Sequence, residues 1–281
     1  MLSFWKSISR GLGLSVVAVG TLWGASSARA GQIDLTVAPY NGHDDQGAYF
    51  YRSDLQPTGT GVIKPFLTIQ EKGMEHGYNS DSTNTSLLLD DHRAPSQWVR
   101  SVKIDDIAAV PLAGHSGLYA QFFLDLNESN SDDHLLSMDK FQLFSTTDPN
   151  LTGYHETSIL TGQPGDGFTS AETTLYDMDK LSDWTVQLNY SLNHGSGSGD
   201  MKVYIPYSVI QSQLGQNKYL VLYTSFGKPY ASSAGFEEWS VLTGAHPGPP
   251  VPGPGVPLPS TGAGGAVVLG LLGIRRRSRR K

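Results

Sequence analysis

The chain has 281 residues, a formal net charge of −6 and no cysteine. The missing thiols exclude disulfides, thiolate zinc sites, iron–sulfur clusters and cysteine nucleophiles. Charge is unevenly spread: residues 31–245 carry all 26 acidic residues and only 11 of the 20 basic ones, a formal −15. That sign argues against nucleic acid as a partner, because a phosphate backbone needs positive charge opposite it.

At the start, Lys6 and Arg10 precede an apolar run, Gly11–Gly24, and Ala28-Arg29-Ala30 follows with the small-x-small pattern of a cleavage site. This order reads as a signal peptide over residues 1–30, with Ala28 and Ala30 before the cut and Gly31 as the mature start. Fourteen apolar residues are too few for a membrane-spanning helix.

Residues 31–245 read as one β domain. Period-two alternation dominates, which places one wall of a strand in a core and the other in water. Trp184, Val186, Leu188, Tyr190 and Leu192 fall on one face of a predicted strand, and Leu118, Ala120, Phe122, Leu124 and Leu126 on one face of another. Further strands are predicted at Ile33–Val37, Ala48–Arg52, Val62–Gln70, Trp98–Ile104, Met138–Ser145, Met201–Ile205, Tyr219–Phe226 and Phe236–Leu242. Gly, Asn, Asp and Ser fill the loops between them. One or two helical turns are expected over Tyr207–Leu214, after Pro206. The fold class is therefore all-β, an antiparallel β-sandwich with a jelly roll as one arrangement.

Candidate chemistry in the body is sparse. The densest oxygen-ligand segment holds Asp125, Asn127, Glu128, Asp132, Asp133 and Asp139, so Asp125, Asn127, Asp132, Asp133 and Asp139 form the candidate calcium set. A solvated acidic turn is the plainer reading of the same residues. Asp44 with Asp45, and Asp177 with Asp179, read as ordinary acids. Alternation turns Phe236 and Glu238 to one side and Glu237 and Trp239 to the other, which sets at least one of the two glutamates beside apolar groups, and the pair reads as structural. None of the eight histidines sits at metal-ligand spacing, and no serine lies in a Gly-x-Ser-x-Gly elbow, so a non-enzymatic protein is expected. Tyr49, Tyr51, Tyr78 and Tyr154 are candidate platforms for sugar rings.

Residues 246–256 form a stiff Pro/Gly-rich linker. Beyond it come Pro257-Leu258-Pro259-Ser260-Thr261-Gly262, an apolar run over Gly262–Ile274, and a basic cluster of Arg275, Arg276, Arg277, Arg279, Arg280 and Lys281. Thirteen apolar residues make a helix of about 20 Å against about 30 Å of hydrocarbon, so a recognised and processed signal fits better than a permanent anchor. The segment 257–281 resembles a PEP-CTERM sorting signal, a proline-marked core followed by a Leu/Gly-rich stretch and arginines, with Leu258 at the place of the usual glutamate. Leu258-Pro259-Ser260-Thr261-Gly262 also resembles the Leu-Pro-x-Thr-Gly motif of sortase substrates. The first resemblance implies an exosortase-type enzyme and export machinery as partners, transient contact with the inner membrane, and delivery to the cell surface or an exopolysaccharide matrix. A carbohydrate- or calcium-binding matrix module and a polysaccharide-active hydrolase are the alternative functions.

Overall fold

The computed structural model describes residues 30–53, 64–84, 89–90, 98–128, 134–156, 166–168, 172–193 and 199–244. Two seven-stranded sheets organise them, and their pairings are antiparallel with one exception. The first sheet runs β1 (Gly31–Asp34), β14 (Trp184–Asn189), β10 (Leu135–Thr146), β16 (Tyr219–Phe226) and β6 (Glu75–Tyr78). In it β13 (Thr173–Asp177) also pairs with β10, and β7 (Val102–Lys103) with β16. The second sheet runs β2 (Asn41–His43), β3 (Tyr49–Arg52), β15 (Met201–Pro206), β9 (Leu118–Leu126), β18 (Glu237–Val241) and β4 (Leu67–Ile69), with β8 (Val110–Pro111) beside β9. Two short ribbons complete the strands, β11 (Tyr154–His155) with β12 (Gly167–Phe168) and β5 (Lys72–Gly73) with β17 (Ser232–Ser233).

Side chains from both sheets meet in one buried cluster. Phe141 of β10 lies 5.6 Å from Phe122 of β9 and 5.1 Å from Trp239 of β18, ring centre to ring centre. All three are fully buried. The alternation along β9 holds from Ala120 to Leu126, whereas Leu118, expected inward, is 38% exposed at the strand's start. On β10, Met138 and Phe141 both enter the core although three positions separate them. A bulge makes this geometry work: Met138 pairs with Phe226 and Lys140 with Ser225, which leaves Asp139 as the extra residue and re-phases the strand.

The first sheet is covered on its other face as well. Phe144, Val221, Tyr223, Tyr78 and Tyr154 form a second buried cluster, in which Tyr154 stacks on Tyr223 at 3.6 Å. Burial on both faces explains why β16 is apolar or buried at nearly every position rather than alternating.

Two expectations are corrected. The pairing of β1 with β14 is parallel, not antiparallel. The strand predicted over Trp184–Asn193 stops at Asn189, because the Asn189 side chain accepts the Ser191 N–H (2.9 Å) and turns Tyr190–Leu192 into a 3-10 turn. The helix expected after Pro206 is present as a single turn, α1 (Ser208–Gln211).

Truncating Phe141→Ala removes the ring that joins the two sheets. It is expected to cost about 3–5 kcal/mol in urea unfolding; a loss below about 1 kcal/mol would show that the shared core is not where the fold's stability lies.

Candidate metal centre

Opposed residues of an antiparallel pair share a face. Glu75 opens β6 opposite the core residue Phe226, so its side chain enters between the sheets. Glu237 opens β18 between Leu126 and Ile69, both fully buried, so it enters from the other sheet. Glu128 follows two residues after the end of β9. The three side chains converge: one carboxylate oxygen from each lies within 4.8 Å of the others. Their residues are 1%, 5% and 0% exposed for Glu75, Glu128 and Glu237. Among the described residues this is the one group of three or more His, Asp or Glu side chains so arranged.

Backbone donors hold two of the carboxylates by one oxygen each. The Glu71 N–H donates to Glu75 Oε2 (3.0 Å), and the Ser233 N–H donates to Glu128 Oε2 (2.8 Å), with the Ser233 hydroxyl on the same atom. The β5–β17 ribbon therefore supplies part of the frame around the site. The remaining oxygens, Glu75 Oε1, Glu128 Oε1 and both of Glu237, are buried without a donor while the carboxylates are ionised, and Glu237 lies close enough to the Glu75 and Glu128 carboxyls to share a proton with them. Burial, then the adjacent Glu75 and Glu128 carboxylates, pushes Glu237 well above the ordinary carboxylate range. Burial raises Glu75 too, against the opposing pull of its hydrogen bonds.

Such a trio can hold a hard cation or share protons. It is not placed to hydrolyse a polysaccharide, since carboxylates this deeply enclosed cannot flank a polymer's glycosidic bond.

The close approach of Glu128 depends on a glycine. A Cβ on Gly235 would fall 2.1 Å from the Asn127 carbonyl oxygen and 2.8 Å from Glu128 Cα. Only the absent side chain lets the two segments touch.

The sequence-predicted acids lie elsewhere. Asp125 is on β9 in the second sheet and Asp139 on β10 in the first, where its Oδ2 accepts the Lys228 N–H (2.9 Å). Neither belongs to the glutamate trio. Asn127 adjoins Glu128 and touches Gly235 through its backbone. Asp132 and Asp133 lie outside the described residues, as do Ala28, the motif at 257–262 and the basic cluster at 275–281. Asp44 is a loop clamp, accepting N–H groups from Gln46 and Ala48 and the Tyr176 hydroxyl. Tyr78 and Tyr154, expected as sugar platforms, are buried at 0% and 6% exposure, so their rings serve packing. Tyr49 and Tyr51 instead sit half-buried in a group with Tyr119, Tyr204 and His115.

Sequence reasoning missed Glu75 altogether and gave Glu237 a structural role. The available signal was a charged residue in phase with Trp239 and Val241, because a buried charge needs a partner or a metal.

No protein-family model, curated protein or solved structure matches the chain.

Two outcomes follow from this geometry. Gly235→Ala should push the Asn127–Glu128 segment outward and cost about 1–3 kcal/mol, as over-packing does; unchanged urea stability would mean the contact is not tight. Separately, burial pushes Asp200 up to about 8, opposed by the Leu126 N–H and helped by Asp125. A carboxyl whose folded pKa exceeds its ordinary 3.8 binds its proton more tightly when folded. Its contribution to stability is therefore full at low pH and is lost as pH rises from about 4 to about 8. Asp200→Asn keeps an acceptor for Leu126 and removes the ionisation. The variant's melting temperature should gain on the wild type's between pH 5 and pH 8, and a pH-independent difference would contradict the buried titration.

Proposed function

We propose that the chain is an exported, non-catalytic β-sandwich protein. In this reading an exosortase-type enzyme processes its PEP-CTERM-like tail, and the body is displayed at the cell surface or in the extracellular matrix. The sandwich reading rests on the two sheets contributing to one buried cluster, with Phe122 and Trp239 of one against Phe141 of the other.

The observation that carries the export reading is that a strand starts at the expected cleavage point. The first strand starts at Gly31, the residue expected after signal cleavage, and the Gly31 N–H already bonds to the Asp183 carbonyl (2.6 Å). Ala30 before it is exposed. A Cβ at position 31 would sit 2.4 Å from the Trp184 ring, so this glycine is fitted to its place in the sheet. Cleavage after Ala30 would cut at an exposed residue. At the other end Thr243 is the last bridged residue among those described, shortly before the proline-rich linker in the sequence. The acidic body with its two terminal signals suits a protein that leaves the cell and works among divalent cations.

Peptide masses of the protein recovered from its native envelope or secreted fraction test this directly. The expected mature chain begins at Gly31 and has lost everything beyond the Pro257–Thr261 region. A terminus at Thr261 joined to cell-wall peptide would assign the tail to a sortase instead. A chain still ending at Lys281 would overturn the sorting reading.

A further inference from the structure

We propose that Glu75, Glu128 and Glu237 form a calcium site that ties the two sheets together at one end. Glu237 is fully buried with no donor to either oxygen, and one carboxylate oxygen from each of the three glutamates lies within 4.8 Å of the others. Glu75 and Glu128 each accept a backbone N–H on one oxygen and keep the other buried and without a donor. This division of labour is that of an oriented ligand set, in which outer hydrogen bonds fix the direction of the coordinating atoms.

The chemistry selects the ion. All the donors are carboxylate oxygens, with no histidine in the group and no cysteine in the chain, which disfavours zinc and other borderline metals. Geometry separates the hard cations. A triangle of oxygens with sides up to 4.8 Å has its centre no more than about 2.8 Å from each corner. That bound keeps all three oxygens near calcium's bonding range of about 2.3–2.6 Å, and calcium takes carboxylates in flexible geometry, whereas magnesium demands a near-ideal octahedron and sheds its water reluctantly. The three carboxylates supply one converging oxygen each. The rest of a coordination number of six to eight falls to solvent or nearby oxygens.

The calcium set read from the sequence lay in the same stretch of chain but on different side chains. Glu128 belongs to the site, and Asp125 and Asp139 do not.

The test uses the full chain, stripped with a chelator and dialysed into metal-free buffer. Calcium is then titrated in a calorimeter, and thermal unfolding is followed with calcium or magnesium added. One calcium per chain should bind. At calcium a hundredfold above its dissociation constant, the melting temperature should rise by about 5–10 °C. Magnesium at the same concentration should give less than a third of that shift. Glu237→Gln should weaken calcium binding at least tenfold and abolish the calcium-dependent shift, while leaving the metal-free protein at least as stable as the wild type. Glu238→Gln, on the opposite face of β18, should respond to calcium as the wild type does. Absence of heat and of any shift in the wild type would mean that protons neutralise the trio and would overturn the proposal. An equal response in Glu237→Gln would move the ion elsewhere, and an equal magnesium shift would overturn the choice of calcium.

Discussion

The carboxylate of Glu237 sits where the alternation of β18 sends every second side chain into the core. Everything at that end of the molecule has to answer for it. Moving an isolated carboxylate out of water costs several kcal/mol even after relaxation. A domain's whole net stability is about 5–15 kcal/mol. Three such groups side by side cannot all stay ionised without a counter-charge. The local charge must be cancelled by protons held on the carboxylates or by a cation between them.

The surrounding structure is arranged around that requirement. Glu75 arrives from the first sheet, Glu237 and Glu128 from the second, so whatever neutralises the trio also links the two sheets. The β5–β17 ribbon carries the Ser233 groups that hold Glu128, and Glu71 just before it holds Glu75. Gly235 lets the strand leading into β18 pass against the Asn127 carbonyl. Farther along, the aromatic contacts of Phe141 with Phe122 and Trp239 join the sheets by apolar burial alone. The molecule is thus closed by an apolar clasp in the middle and a charged one at the edge.

Much of the fold was legible because burial on one face imposes a period of two. The strand over Tyr219–Phe226 falls where it was expected, and Ala120, Phe122, Leu124 and Leu126 all face the core. The failures have local physical causes. Asn189 caps a turn that cuts its strand short, and the bulge at Asp139 shifts the phase of β10. The parallel pairing of β1 depends on a long-range choice of partner that no local pattern records. The site was less legible than the fold. Its residues lie far apart in the chain, and each alone looks like an ordinary acid; only Glu237, in phase with Trp239, carried a mark of burial. The Asp125–Asp139 stretch drew attention because its acids are dense in sequence; of these, Asp125 lies on a strand of one sheet and Asp139 on a strand of the other, and neither joins the glutamates.

Diffraction from crystals soaked in a heavy calcium mimic such as a lanthanide would locate the ion directly. The account predicts one dominant anomalous peak between the carboxylates of Glu75, Glu128 and Glu237. A peak at Asp125 or Asp139, or none between the three glutamates, would contradict it.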